Sequence, residues 1–168
     1  MLSKNIEIAL NKQIRIEAES SQTYLSMACW AEVSGLEGIA QFMFTQSDEE
    51  RLHMLKLIKY VNERGGHAKI TDLKAPKITY ETFKDMFEEL YKHEIFVSDS
   101  INELVHITFS EKDYATHNFL QWYVAEQIEE EATAKSILDK INLIGDDKGG
   151  LYLFDRDLQQ VVLVKPAI

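Results

Sequence analysis

The sequence predicts an all-α fold: a four-helix bundle in up-down-down-up order, with one long crossover and a short fifth helix at the C-terminus. Three observations point there. Only two prolines, Pro76 and Pro166, occur in 168 residues, and the seven glycines sit at punctuating positions, so long uninterrupted stretches lie between breaks. Apolar residues recur in those stretches at steps of three, four or seven. One connection, residues 65 to 80, is much longer than the others. The length suits one domain over residues 1–168 that buries a core without disulfides or a structural metal.

The first helix is expected over about 4–33, ended by Ser34 and Gly35, with an inward stripe of Ile6, Leu10, Glu17, Tyr24, Ala28 and Ala31. The second, about 36–64, ends at Gly65 and Gly66 and carries Ile39, Met43, Gln46, Glu50, His53, Leu57 and Tyr60. So short a link makes the two antiparallel. Residues 65–80 can then stretch roughly 50 Å at about 3.3 Å per residue, more than the ~42 Å length of a helix of about 28 residues. The crossover can therefore traverse the bundle and make the second and third helices parallel. The third helix, about 81–109, has the stripe Phe83, Phe87, Leu90, Glu94, Val97, Ile101 and Leu104. The fourth, about 112–144, has Leu120, Tyr123, Gln127, Glu130, Ala134, Ile137 and Ile141. After the break GDDKGG, LYLFDRDLQQV makes a fifth over about 151–161, and the tail from Val161 to Ile168 has no expected role.

Composition narrows the function classes. A formal net charge of −10 argues against nucleic acid as a partner and favours solubility or attraction of cations. Cys29 is the single cysteine, which excludes an internal disulfide and suits a reducing compartment; its apolar surroundings predict burial. No apolar run reaches the ~20 residues of a membrane span, and MLSKNIEIALNKQ is amphipathic rather than a signal sequence. The expectation is a cytoplasmic protein without membrane contact.

The chemistry lies in the interruptions. Each of the four stripes is broken near mid-height by ionisable or amide side chains, which places Glu17, Glu50, His53, Glu94, Gln127 and Glu130 in one layer. Glu50 and His53, three apart in DEERLHML, share a helix face. A buried unpaired carboxylate costs several kcal/mol or takes up a proton, and no Lys or Arg falls on the stripes at that level. Four carboxylates and a neutral imidazole balance two divalent ions. Oxygen ligands with one imidazole favour iron or manganese over structural zinc.

These residues, with the stretches EAESSQTYLSMACWAE, SDEERLHMLK and QWYVAEQIEEE, resemble the non-haem ferritins of prokaryotic type over essentially the whole chain; ferritin-like bundles are a standard example of this architecture. The resemblance implies a ferritin-like fold and iron storage with ferroxidase activity. Fe2+ would be oxidised by O2 or H2O2 at an intrasubunit di-iron centre, and ferric oxyhydroxide deposited in the cavity of a 24-subunit homo-oligomeric shell. Glu17, Glu50 and His53 then match the ligands of a first iron. Glu50 bridges to a second, held by Glu94 and Glu130, with Gln127 close by. Glu49, Glu126 and Glu129 match a third iron site on the cavity side, Tyr24 a tyrosine beside the centre, and Trp122 lies near the third site.

Departures from relatives matter too. Where bacterioferritins repeat Glu-x-x-His on the fourth helix, this chain has Gln127 and Glu130, so the second iron should be held more loosely. Where they bind haem through a methionine, it has Arg51, and no haem is expected. Animal ferritins line entry channels with an acidic pair whose positions here are His117 and Leu120. Trp30 and Trp122 are expected in a core or interface, and His67, His93, His106 and His117 as surface or hydrogen-bonded residues. Glu131, off the stripe, is expected to be ordinary surface. Two other classes stay open: a different di-iron or di-manganese oxygenase or peroxidase, and a metal-free interaction bundle.

Overall fold

The computed structural model describes the backbone of residues 1–162 and the side chains of residues 1–159; residues 163–168 of the tail lie outside the described residues. Five helices follow one another: α1 (Lys4–Val33), α2 (Glu37–Glu63), α3 (Phe83–Ser110), α4 (Tyr114–Ile144) and α5 (Lys148–Val162). Side-chain caps set three starts. Ser3 accepts the Ile6 N–H, Thr82 that of Asp85 and Asp113 that of Thr116. The Thr82 and Asp113 caps explain why α3 and α4 begin two residues later than the periodicity predicts. Conversely, α5 begins three residues early, because the Asp147 carboxylate accepts the N–H groups of Gly149 and Gly150 at 3.0 and 3.1 Å. The glycine pair opens the helix instead of preceding it.

The crossover fixes the topology. It leaves the end of α2 and runs beside α1 in α1's own direction: the His67 carbonyl accepts from Asn11, Lys74 N–H donates to Glu19, and the Lys77 carbonyl accepts from Ser26. At the far end Trp30 of α1 meets Phe83 at the start of α3. α3 therefore runs antiparallel to α1 and parallel to α2. α4 returns from the end where Ser3 hydrogen-bonds Glu111, which completes the up-down-down-up order.

α2 and α4 lie antiparallel across a gap bridged by long side chains. Gln46 meets Glu130, Tyr123 meets the His53 carbonyl, and Tyr60 meets Thr116, steps of seven on each helix. α5 docks chiefly on α2, burying Phe154 and Leu158. Its Asp155 carboxylate accepts the Ile39 N–H at 2.8 Å, supplying the cap that Leu36 cannot. That approach requires a glycine, since a Cβ on Gly38 would lie 1.9 Å from the Asp155 carbonyl oxygen.

Two apolar clusters fill the bundle. One gathers Met27, Ile39, Met43, Phe87 and Ile137 towards the α1 C-terminal end, the other Leu10, Leu57, Ile101, Leu104 and Leu120 towards its N-terminal end. At roughly 1.5–3 kcal/mol per buried large aliphatic side chain, they supply the stability that lets a polar layer persist between them. Cys29, predicted to be buried, is exposed. The buried arc of α1 runs through Tyr24, Met27, Ala28 and Ala31, and Cys29 falls outside it on the face of the exposed Leu25 and Val33.

Candidate metal centre

Glu17, Glu50, His53, Glu94, Gln127 and Glu130 are all buried between the two clusters, and Glu50 is wholly inaccessible. Among the described residues, Glu17, Glu50 and His53 are the three whose ligand atoms converge within 4.8 Å of one another. His53 Nδ1 lies 3.5 Å from Glu50 Oε2 and 4.0 Å from Glu17 Oε2. The Tyr123 hydroxyl donates to the His53 carbonyl at 2.8 Å and packs near its ring.

Hydrogen bonds divide the carboxylates. Glu50 has no donor on either oxygen, and Glu17 none on Oε2, although all three atoms are buried. Glu17 Oε1 accepts from Gln13 Nε2 at 2.9 Å, and Gln13 is itself held by Ser100. On the other side, Glu94 accepts from the Tyr24 hydroxyl through one oxygen and from Gln127 Nε2 at 3.2 Å through the other. Glu130 accepts from Gln46 Nε2 at 3.1 Å. One half of the layer thus presents bare oxygens, and the other is satisfied within the protein.

Burial raises Glu17 well above the ordinary carboxylate range, reinforced by the Glu50 charge. Burial does the same to Glu50, and the charges of Glu94, Glu130 and Glu49 add to it although its contact with Glu17 opposes. Glu94 is raised by burial against the pull of Tyr24 and Gln127. Tyr24 is raised by burial and by the Glu94 and Glu50 charges, so it keeps its proton and remains a donor. A cation placed among these groups would remove the penalty that each carries.

The outer carboxylates are arranged differently. Glu49 and Glu126 are half-buried and Glu129 is exposed, and the three do not converge to ligand distance as Glu17, Glu50 and His53 do. Trp122 stands edge-on to His53, ring centroids 5.1 Å apart. Trp30 packs against Tyr80 and Phe83. His67 and His106 are exposed, and Leu120 is a core residue. His117 is half-buried against Phe109.

Nothing in the sequence marks Gln13, which lies beside the first stripe, as a partner of Glu17, and Gln46, on the second stripe, shows its link to Glu130 only in the structure. His93 packs edge-on against Tyr24 at 5.6 Å. Because Ser20 donates its one hydroxyl proton to the Ile16 carbonyl, the contact at 2.8 Å has His93 Nε2–H donating to Ser20. Glu131, expected to be ordinary, is half-buried and accepts from Ser98, whose hydroxyl is 3.4 Å from Gln127 Nε2. The i, i+3 neighbour Ile128 gave no hint of that link, which crosses to α3.

Residues 7–144 match the Ferritin family, described as a ferritin-like domain. A probable bacterial non-heme ferritin-like protein of Haemophilus influenzae is 48% identical over 158 residues, covering 94% of this chain and 96% of its own. A bacterial non-heme ferritin of Campylobacter jejuni is 44% identical over 163 residues, covering 97% and 98%. Among solved structures, an open pore ferritin from Archaeoglobus fulgidus superposes with a TM-score of 0.93 at 43% identity, covering 95% of this chain and 98% of that one.

Proposed function

This chain belongs to the ferritin family, and from that premise we propose that it stores iron. It oxidises Fe2+ with O2 or H2O2 at the buried layer and deposits ferric oxyhydroxide inside a homo-oligomeric shell of 24 subunits, in the cytoplasm and without haem. The observation that carries the reading is the set of three buried carboxylate oxygens, on Glu17 and Glu50, that no protein donor satisfies and that lie beside His53.

Fe2+ enters this scheme as substrate. Glu17, Glu50 and His53, whose ligand atoms already converge, take the first ion as the carboxyls release their protons, and Glu50 spans to the second. Glu94 and Glu130 hold the second ion, for which Gln127 and Tyr24 must first yield part of their hold on Glu94. The second ion is accordingly bound less tightly. The ions together deliver two electrons: 2 Fe2+ + O2 + 2 H+ gives 2 Fe3+ + H2O2. Metal charge rises from +4 to +6 against four carboxylates, so the product gathers oxide or hydroxide and leaves. Glu49, Glu126 and Glu129 relay it towards the cavity. The unequal halves of the layer favour a substrate site over the permanent cofactor of an oxygenase.

Anaerobic equilibrium dialysis with Fe2+ tests this reading. The parent is expected to hold two tight ions per chain, one tighter than the other, and Glu50→Ala to hold none of comparable affinity. Unchanged binding by Glu50→Ala would remove the layer from iron chemistry.

A further inference from the structure

Lys56 lies on α2 one turn beyond His53 and takes no part in the buried layer. Its ammonium sits 3.1 Å above the centroid of the Trp122 ring, a cation–π contact of the close kind, and Trp122 in turn stands edge-on to His53. Lys56 is half-buried. Burial draws it below the ordinary lysine value, and the charge of Glu126 opposes that shift, so the two groups feel each other.

Helical spacing shows what else faces it. Glu49 and Lys56 are seven apart on α2, and Trp122, Glu126 and Glu129 follow at i, i+4 and i+7 on α4. Contacts from Trp122 to His53 and Lys56 show that these two rows face one another across the gap between α2 and α4. The outer carboxylates thus share their row with a tethered positive charge, clamped on an aromatic face at one end.

We propose that Lys56 is a built-in competitor of metal at the outer row, a cation that partly neutralises Glu126 and repels an incoming ion, so that iron passes along the row without resting there. This deepens the reading of Glu49, Glu126 and Glu129 as a relay and rests on it. A unit charge on the order of 7 Å from a divalent ion weakens its binding by about two- to eightfold between screened and unscreened water. A neutral residue in place of Lys56 removes that repulsion. Arginine retains both the charge and the stacking.

Zn2+ titration of the assembled, metal-free protein by calorimetry provides the test, with the parent, Lys56→Met, Lys56→Arg and Glu126→Gln compared. The expected result is that Lys56→Met binds ions beyond the first two per chain about two- to eightfold more tightly, with a smaller gain for the first two, and that Lys56→Arg matches the parent. Glu126→Gln should weaken only the later ions. Equal affinity of the later ions in the parent and Lys56→Met overturns the proposal while leaving the relay intact, and makes Lys56 a packing residue of Trp122. No ion beyond two in any variant overturns the relay itself, and the role of Lys56 with it.

Discussion

Glu50 is buried with two oxygens that no amide, hydroxyl or backbone N–H reaches, against the Glu17 carboxyl and within the field of Glu94, Glu130 and Glu49. Its pKa, like those of Glu17 and Glu94, is raised above the unfolded carboxyl value of about 4.3. The native state therefore holds protons that the unfolded chain releases, and these groups favour folding below that value and lose their contribution as pH rises through the folded pKa. Metal-free Glu50→Gln should be more stable than the parent at pH 7.5, on the order of 1–3 kcal/mol, and the gain should shrink towards pH 4.5. Thermal unfolding of both proteins across that range measures the difference. Gln13 works in the opposite sense: Gln13→Leu leaves Glu17 Oε1 without its donor, and should cost the metal-free fold roughly 1–3 kcal/mol in chemical denaturation.

The same residues show what a sequence can reveal of such a site. Glu17, Glu50, His53, Glu94 and Glu130 stand out because a charge on an apolar stripe has no inexpensive explanation. Gln13 and Ser100 do not, because an uncharged polar residue beside a stripe fits a surface equally well, and Gln46, though on a stripe, carries no sign that it reaches Glu130. Their importance lies in which oxygen they reach, and that depends on the crossing of helices. Lys56 was invisible for a related reason: its partner, Trp122, comes from a helix some sixty-six positions away.

At the level of elements, lengths and order follow from periodicity and loop length, whereas the starts of α3, α4 and α5 follow from single capping side chains. GDDKGG reads as a break, yet Asp147 turns its glycines into a first helical turn. The docking of α5 on α2 depends on Gly38 and Asp155, which nothing local connects. Gly38→Ala would drive a methyl group into the Asp155 backbone, so α5 should detach or shift while the four-helix bundle stays folded. Hydrogen exchange is expected to show protection lost over residues 148–159 and at the N–H of Ile39, with α1 and α3 unaffected. Loss of protection throughout would mean that α5 and the bundle fold as one unit.

Over the whole molecule, two apolar clusters hold apart a layer that is unstable on its own terms, and the gap between α2 and α4 connects that layer to the outer carboxylates. No helix among the described residues is long and apolar enough to cross a membrane. A metal-free interaction bundle would have no reason to keep Glu17 and Glu50 bare and buried. An oxygenase would be served by a second site as ready as the first, and here Glu94 is already engaged by Tyr24 and Gln127. In the function we propose, the layer oxidises iron for storage. Stopped-flow mixing of two Fe2+ per chain with aerated buffer tests it most directly, when followed by bulk iron loading and sizing of the particle. Rapid oxidation is expected in the parent, slowing by at least about tenfold in Glu50→Ala and His53→Ala, the loss of about 1.4 kcal/mol or more of barrier lowering, together with a hollow shell that takes up many irons per chain. Equal oxidation rates in parent and variants, or a particle that retains no more than two irons per chain, would contradict it.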